Sequence, residues 1–304
     1  MMYRFRREVA MSWFGMNVRG IFQTAPLRCD PNAGALFVSQ VCHRDIAMYL
    51  LAVKSLARHV RPKMVFVLDD TSLSQRDKEI LRQHIQPIEI LPVTSVANGS
   101  CPKGGCWERL LFISDKVPAA YVVQVDSDTL TLGAPQAVQK HIDANLSFTL
   151  GEWRGQKIVS AGEAARSVKA HLANGGAHVQ MVSEANLDRL EFAAPAQYVR
   201  GSAGFAGFAR ASLSRDAVEH FSRSMAQLIG NNKWSEWGSE QVTSNFVVAN
   251  TDGAEILPFP EYCFHSPEID VEPATFVHFI GSYRFHGGRY ARLARRVIGQ
   301  LPRA

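Results

Sequence analysis

Short apolar runs alternate with segments of helical periodicity through the first half of the chain. Such runs are typical of strands buried on both faces of a sheet, and the segments between them carry apolar residues at the spacing of a covering helix. The pattern predicts strands over 35–41, 63–68, 87–93 and 119–125, and helices over 44–60, 74–85 and 107–116. This alternation indicates an α/β domain with a mostly parallel sheet flanked by helices.

The second half is less regular and extends this domain rather than starting another. It contains predicted helices over 162–172, 213–229 and 240–249, and strand-like segments over 198–209, 255–259 and 275–280. No stretch has the composition of a linker between independent domains. We therefore expect one domain over 35–288, preceded by an N-terminal extension over 1–34 and followed by a basic tail over 289–304.

Composition narrows the function classes. The 304-residue chain is 46% hydrophobic and 20% charged, which suits a globular protein. A net charge of +5 does not indicate a nucleic-acid partner unless it is concentrated. No stretch approaches the roughly 18 apolar residues of a membrane span, and the first 20 residues lack the apolar core of a signal peptide. Five cysteines, an odd number, favour a reducing compartment, so we expect a cytoplasmic protein.

Two aspartates follow the fourth predicted strand directly. Ligands of open α/β sheets bind beyond the carboxyl ends of the strands, where Asp126 and Asp128 would lie. Two carboxylates about 4 Å apart repel by roughly 4 kcal/mol in a partly screened site, and a divalent cation removes that repulsion. An i, i+2 pair on an extended chain points to one side, as a shared ion requires. The alternative is an ordinary turn, which Asp and Ser also favour.

Other strand ends carry weaker signals. For Asp69-Asp70 we favour a solvated turn that caps the next helix, with a contact to a donor ribose as the minority alternative. A lone histidine in an apolar strand, such as His278, is more often a core residue than a ligand. Here Gly281 and Arg284 follow it, and a glycine admits a close ligand while an arginine can bind phosphate.

These motifs, in this order, resemble those of metal-dependent glycosyltransferases of the GT-A fold, in particular the retaining type that includes glycogenin and bacterial lipopolysaccharide galactosyltransferases. The resemblance covers roughly residues 35–289. The matching segments are Lys54-Ser55-Leu56, Trp107 to Leu110 with Val117-Pro118, Tyr121 to Leu130, Ser202 to Phe205, Glu240 to Asn245, and His278 with Gly281 and Arg284. The resemblance implies a Rossmann-like single domain with a mostly parallel mixed sheet.

The resemblance also implies site residues. It assigns Mn²⁺ or Mg²⁺ to Asp126, Asp128 and His278, and a nucleoside-diphosphate sugar, UDP-linked in this family, to the cavity beside them. The donor-contacting residues it implies are Arg109, Ser127, Gly281, Arg284, Gln40, Cys42, His43 and Ser202. Three positions depart from the family pattern: Arg284 replaces a lysine, Ser202 replaces an asparagine, and Cys42-His43 stand where an acidic residue is common. The acceptor would be a carbohydrate, a glycolipid or a protein.

Two neighbouring residues offer different chemistries for the transfer. In the retaining reading, the Gln241 amide oxygen stabilises the sugar cation on its reacting face. In the inverting alternative, the Glu240 carboxylate acts as general base. A helix start, with Ser239 as cap and Glu240 complementing the dipole, is the structural alternative for both. A non-catalytic relative that binds nucleotide sugars is a third reading. A nucleotidylyltransferase is disfavoured, because residues 40–43 are not a Gly-rich phosphate loop.

For the aromatic and basic segments outside these motifs, the sequence leaves two alternative roles each. The segment Trp234 to Gly238 and Trp153 suit either sugar stacking or core packing. The tail over 291–298 is basic and amphipathic, and we favour a solvated terminal helix for it. The alternative is peripheral contact of this tail with an anionic membrane surface.

Overall fold

The computed structural model describes residues 2–172 and 178–304. The helices are α1 Met2–Val18, α2 Ile46–Ala57, α3 Gln75–His84, α4 Trp107–Lys116, α5 Gln136–Ala144, α6 Ala161–Lys169, α7 Val179–Glu184, α8 Arg215–Ile229, α9 Asn231–Trp234, α10 Ser239–Ala249 and α11 Arg289–Gln300. The strands are β1 Leu27–Arg28, β2 Ala35–Val41, β3 Met64–Asp69, β4 Ile85–Gln86, β5 Ile88–Pro92, β6 Tyr121–Val125, β7 Thr129–Thr131, β8 Phe148–Gly151, β9 Val159–Ser160, β10 Gln197–Tyr198, β11 Gly201–Phe208, β12 Glu255–Ile256, β13 Tyr262–Phe264 and β14 Phe276–His278.

A seven-stranded mixed sheet forms the centre of the molecule, in the order β12-β8-β11-β6-β2-β3-β5. Strands β6, β2, β3 and β5 pair in parallel, and β11 runs antiparallel to both β6 and β8. The α/β class and the mostly parallel mixed sheet predicted from the sequence are therefore confirmed. A smaller sheet, β13-β14-β7, joins the end of the chain to the segment that follows β6.

Side chains alternate between two apolar layers along the central strands. Phe37 and Val65 belong to the layer that also contains the buried faces of α1, α2 and α11. Val38 and Phe66 belong to the opposite layer, which α4, α6, α8 and α10 cover. Because both faces of the central strands are buried, their sequences read as continuous apolar runs rather than as an alternation.

Most predicted elements are present, with their ends shifted by a few residues. Strand β2 and helix α4 have the predicted bounds, whereas the helix predicted over 44–60 begins with a 3₁₀ turn and is α-helical only over Ile46–Ala57. The strand predicted over 255–259 is limited to Glu255–Ile256. Strand ends depend on hydrogen-bonding partners that local periodicity does not reveal.

The two ends of the chain pack together on one face of the sheet. The rings of Phe14 in α1 and Tyr290 in α11 lie 4.4 Å apart, and Tyr290 stacks on Phe279 at 4.0 Å. Helix α11 is the terminal helix expected, with Arg292, Arg295 and Arg296 on its exposed side. Its apolar side is buried in the core, so the folded protein does not offer that face to a lipid surface.

Among the described residues, none of the helices combines the length and apolar content needed to cross a bilayer.

Candidate active site

A cavity of about 470 Å³ opens where β6 ends and the small sheet meets the large one. Nine of the residues singled out in the sequence line it: Arg109, Asp126, Asp128, Ser202, Glu240, Gln241, His278, Gly281 and Arg284. They come from five separate parts of the chain: α4, the turn after β6, β11, the start of α10, and β14 with the segment that follows it.

Three side chains in the cavity form a candidate metal site. One ligand atom from each of Asp126, Asp128 and His278 can be chosen so that all three lie within 4.8 Å of one another. His278 Nε2 lies 3.1 Å from Asp128 Oδ1 and 4.0 Å from Asp126 Oδ2. Two carboxylates and one imidazole are a donor set suited to Mn²⁺ and acceptable to Mg²⁺. The donor set therefore fits the divalent cation that the resemblance implies.

The aspartates reach this position from a turn rather than from an extended strand. Strand β6 ends at Val125, and Ser127 and Asp128 form a turn before β7 begins. The expectation of an i, i+2 pair on an extended chain is wrong for this reason. His278 reaches the two carboxylates because β14 pairs antiparallel with β7, with His278 opposite Thr129.

Two residues of β11 hold the imidazole of His278. Ser202 Oγ lies 2.9 Å from His278 Nδ1, which leaves Nε2 directed at the aspartates. A contact of this kind fixes the tautomer and orientation of a ligating histidine. Gly204 makes room for the ring, because a Cβ at this position would lie 2.5 Å from both ring nitrogens. The Ser202-Ala203-Gly204 segment thus shapes the candidate metal site.

Arg109 neutralises two acids at the floor of the cavity. Its side chain is only 3% exposed, and its guanidinium pairs with Asp126 and, at 3.4 Å, with Glu240 Oε1. Burial opposes the charge on Arg109, but Asp126 and Glu240 more than offset this and raise its pKa. The donor contact expected for Arg109 stays a prediction, and its visible role is that of a buried counter-ion.

Arg284 neutralises Asp128, the second aspartate of the candidate metal site. Its guanidinium pairs with Asp128, and its Nε donates to the carbonyl oxygen of Phe279 at 3.1 Å. Burial alone would raise the pKa of Asp128, but His278 and Arg284 lower it below its usual value. Asp128 is therefore ionised at neutral pH, as a metal ligand must be.

Glu240 and Gln241 lie at the start of α10 and differ in what they contact. Burial raises the pKa of Glu240 to about 7, although Arg109 acts to lower it. Gln241 is half-buried, and its Nε2 donates to Gln180 Oε1 at 3.3 Å. Gly238, with φ +105°, precedes the helix, and Ser239 Oγ instead accepts from Trp107 Nε1 at 2.9 Å. The expectation that Ser239 caps this helix is therefore wrong.

Four residues implied as donor contacts, Gln40, Cys42, His43 and Ser127, lie outside the described lining of this cavity. His43 Nδ1 lies 2.7 Å from Asp77 Oδ2, which directs the ring towards α3. Ser127 Oγ donates to Asp45 Oδ2 at 3.0 Å. Cys42 is half-buried, and burial raises the pKa of its thiol. Their contact with a donor nucleotide stays a prediction.

The acidic pair Asp69-Asp70 lies at the end of β3 and does not cap the next helix, so that part of the expectation is wrong. Asp69 Oδ1 accepts from the backbone N–H groups of Thr71 and Leu73, at 2.8 and 3.1 Å. Asp69 is buried and pairs with Lys78 at 2.7 Å, so it is not solvated as expected. The residue that caps α3 is Ser74, in a reciprocal pair of hydrogen bonds with Asp77.

Sequence reasoning missed two polar residues of the cavity, and it did not decide between sugar stacking and core packing for the tryptophans. Glu152 directly follows β8, so the strand-end rule could have found it. Gln180 lies in the short helix α7, and no local pattern distinguishes it. Trp234 is buried in the core, whereas Trp237 is 73% exposed and lines the cavity. Trp153 is exposed and belongs to a different cavity.

No protein-family model matches this sequence, and no curated protein matches it. Solved structures do match. The WbbM bifunctional glycosyltransferase has a TM-score of 0.49 at 15% identity, over 89% of this chain and 50% of that chain. The glycosyltransferase GlyE of Streptococcus pneumoniae has a TM-score of 0.48 at 13% identity, over 88% of this chain and 63% of that chain. The galactosyltransferase LgtC, in complex with donor and acceptor sugar analogs, has a TM-score of 0.44 at 11% identity, over 88% of this chain and 97% of that chain.

These solved structures are glycosyltransferases, the class that the sequence motifs resemble. The chain spans half the length of WbbM, less than two thirds of GlyE and almost all of LgtC. At these identities and at TM-scores below 0.5, the likeness carries no conclusion about this chain. The activity of this chain has to be argued from its own side chains.

Proposed function

We propose that the protein is a metal-dependent glycosyltransferase. It would move a sugar from a nucleoside-diphosphate sugar, UDP-linked according to the motif resemblance, to a carbohydrate, glycolipid or protein acceptor. The observation that carries this proposal is the convergence of Asp126, Asp128 and His278 in a cavity that also holds Arg284 and Gln241. We place the reaction in the cytoplasm, where a reducing environment suits the five free cysteines.

The chemistry requires an anionic diphosphate to leave a sugar that becomes cation-like. A divalent cation held by Asp126, Asp128 and His278 would supply charge neutralisation for this leaving group, worth several kcal/mol. Arg284 adds a fixed positive charge beside the same carboxylates, and a guanidinium can donate two hydrogen bonds to a phosphate. Ser202 holds the imidazole in place during this step.

Retention of anomeric configuration is the outcome that the two α10 residues favour. The pKa of Glu240, which burial raises to about 7, suits a general base, but the side chain is 4% exposed and pairs with Arg109, which limits its access to an acceptor hydroxyl. The Gln241 side chain lies at the cavity, and an amide cannot act as a base. Its carbonyl oxygen can stabilise positive charge on the sugar without being a strong nucleophile.

The test is a panel of nucleotide sugars with Mn²⁺, in which release of nucleoside diphosphate is measured with and without candidate acceptors. Asp128→Asn should abolish release, because it removes a ligand charge and leaves Arg284 without its partner. Asp143→Asn, an exposed residue on α5, is the matched control and should be unaffected. Wild-type activity in Asp128→Asn would show that this cavity is not the active site.

Two further measurements separate the alternatives. NMR of the product reads its anomeric configuration, and inversion would point to Glu240 as base. Calorimetry with UDP, with and without Mn²⁺, tests for a non-catalytic relative. Metal-dependent UDP binding without hydrolysis or transfer would identify such a protein, and binding that ignores the metal would contradict the enzyme proposal.

A further inference from the structure

A second cavity, of about 350 Å³, lies next to the proposed active site. Its volume is within the range of about 300–1,000 Å³ typical of small-molecule sites. Trp153 forms part of its lining and is 50% exposed, so one side of its indole is open to a ligand in the cavity. The cavity is also lined by Lys157, Glu163 and Ser167.

The loop that carries Trp153 is held in place at both of its ends. The Glu152 backbone N–H donates to Gln156 Oε1 at 2.7 Å, and Gln156 Nε2 donates to the carbonyl oxygen of Arg200. Gly155, with φ +75°, allows the loop to turn between these contacts. Trp153 is therefore presented by a fixed loop, so little conformational entropy is lost when a ligand covers it.

The polar groups around Trp153 match the needs of a sugar ring. Lys157 and Arg200 are hydrogen-bond donors, Glu163 is an acceptor, and Ser167 can be either. Both charge signs are present, which suits a neutral ligand better than an anion. A ring with hydroxyl groups at its edge and C–H groups on its face can bond to these residues and stack on the indole.

A bridge of charged side chains separates this cavity from the active site. Arg200 Nε lies 3.4 Å from Glu152 Oε2, and Arg200 Nη1 donates to Glu184 Oε2 at 3.2 Å. Glu152 lines the active-site cavity, whereas Arg200 and Glu184 line the second one. Gln180, which also lines the active site, donates to Glu184 Oε1 at 3.1 Å. The two cavities therefore share one wall.

We propose that the cavity at Trp153 is an acceptor subsite that binds a neutral sugar ring next to the reacting one. The inference rests on the proposed function, because it takes the acceptor to be an oligosaccharide whose terminal ring enters the active site. A non-reacting ring of the same chain then stacks on Trp153, and the chain crosses over the Arg200–Glu152 pair, whose side chains are about one-third exposed. The enzyme consequently prefers an oligosaccharide acceptor over a monosaccharide with the same terminal sugar.

Binding is tested first without donor or metal. Saturation-transfer NMR is recorded with maltotriose, cellotriose, mannotriose and triacetylchitotriose as probes. At least one should bind, with saturation on a ring other than the terminal acceptor ring. Trp153→Ala should weaken this binding about tenfold, which is 1.4 kcal/mol, and Trp153→Phe should restore most of it. Trp13→Ala, a comparably exposed tryptophan on α1, is the matched control.

Kinetics with an active donor and acceptor form the second arm. Trp153→Ala should raise KM for the oligosaccharide about tenfold, while KM for the donor and donor hydrolysis without acceptor stay within twofold of wild type. Failure of all four probes to bind, or binding and acceptor KM unchanged by Trp153→Ala, would overturn the subsite. If binding at Trp153 is found but no transfer occurs with any donor, the cavity is a sugar-binding site but not an acceptor subsite, and the proposed activity falls.

Discussion

Replacement of Gly204 by alanine should displace His278 from the metal site while both aspartates stay in place. The added Cβ would lie 2.5 Å from both ring nitrogens. Carbon and nitrogen atoms pack favourably at about 3.5 Å, and the ring carbon Cε1 would lie closer still than the nitrogens, so the imidazole has to move by more than about 1 Å. Metal–ligand distances tolerate about 0.2 Å, and the 2.9 Å contact between Ser202 and the ring would also be lost.

We expect Mn²⁺ affinity to fall by about 10- to 100-fold, the loss typical when the support of a ligating histidine is removed. Titration calorimetry with Mn²⁺ measures the affinity, and circular dichroism checks that the variant is folded. Gly133→Ala is the control, because its Cβ would meet nothing closer than 3.7 Å. A folded Gly204→Ala protein that binds Mn²⁺ as tightly as wild type would show that His278 is not a ligand.

Two further predictions concern α10 and the opposite end of the sheet. Glu240→Gln should lower kcat by no more than about tenfold, because Glu240 is not the general base, and Gln241→Leu should lower kcat by more. Loss of a general base costs about 10²- to 10⁴-fold in rate. A larger loss in Glu240→Gln than in Gln241→Leu would therefore support Glu240 as the base. Lys54 Nζ lies 2.8 Å from His84 Nδ1, and burial together with Lys54 lowers the pKa of His84 to about 4. Since the unfolded ring gains a proton near pH 6.5, stability should fall by about 2 kcal/mol from pH 7 to pH 5. The free energy of unfolding, measured by urea titration at each pH, should depend less on pH in His84→Asn than in the wild type. An equal pH dependence in the two proteins would show that His84 is not the group responsible.

The local order of apolar and polar residues was sufficient to predict a strand or helix wherever that segment is buried along one whole face or along both. Strand β2 and helix α4 were predicted with their observed bounds, because β2 is a short, largely apolar run and α4 has a regular apolar face. The sequence also placed Asp126 and Asp128 at a strand end, since that position depends only on where an apolar run stops. It did not reveal that they occupy a turn, because a turn and a strand end share the same residue preferences.

Whatever depends on contacts between distant segments was decided by the tertiary structure. The pairing of β14 with β7 brings His278 to the aspartates, and β11 supplies Ser202 and the space at Gly204. Without those strand pairings, nothing in the sequence distinguishes His278 from an ordinary core histidine except its resemblance to a family motif. The sequence alone thus determined most of the central strands and covering helices and the acidic residues at a strand end, because these follow from local polarity. The folded chain determined which polar groups meet, because contact distances are set by packing across the whole sheet.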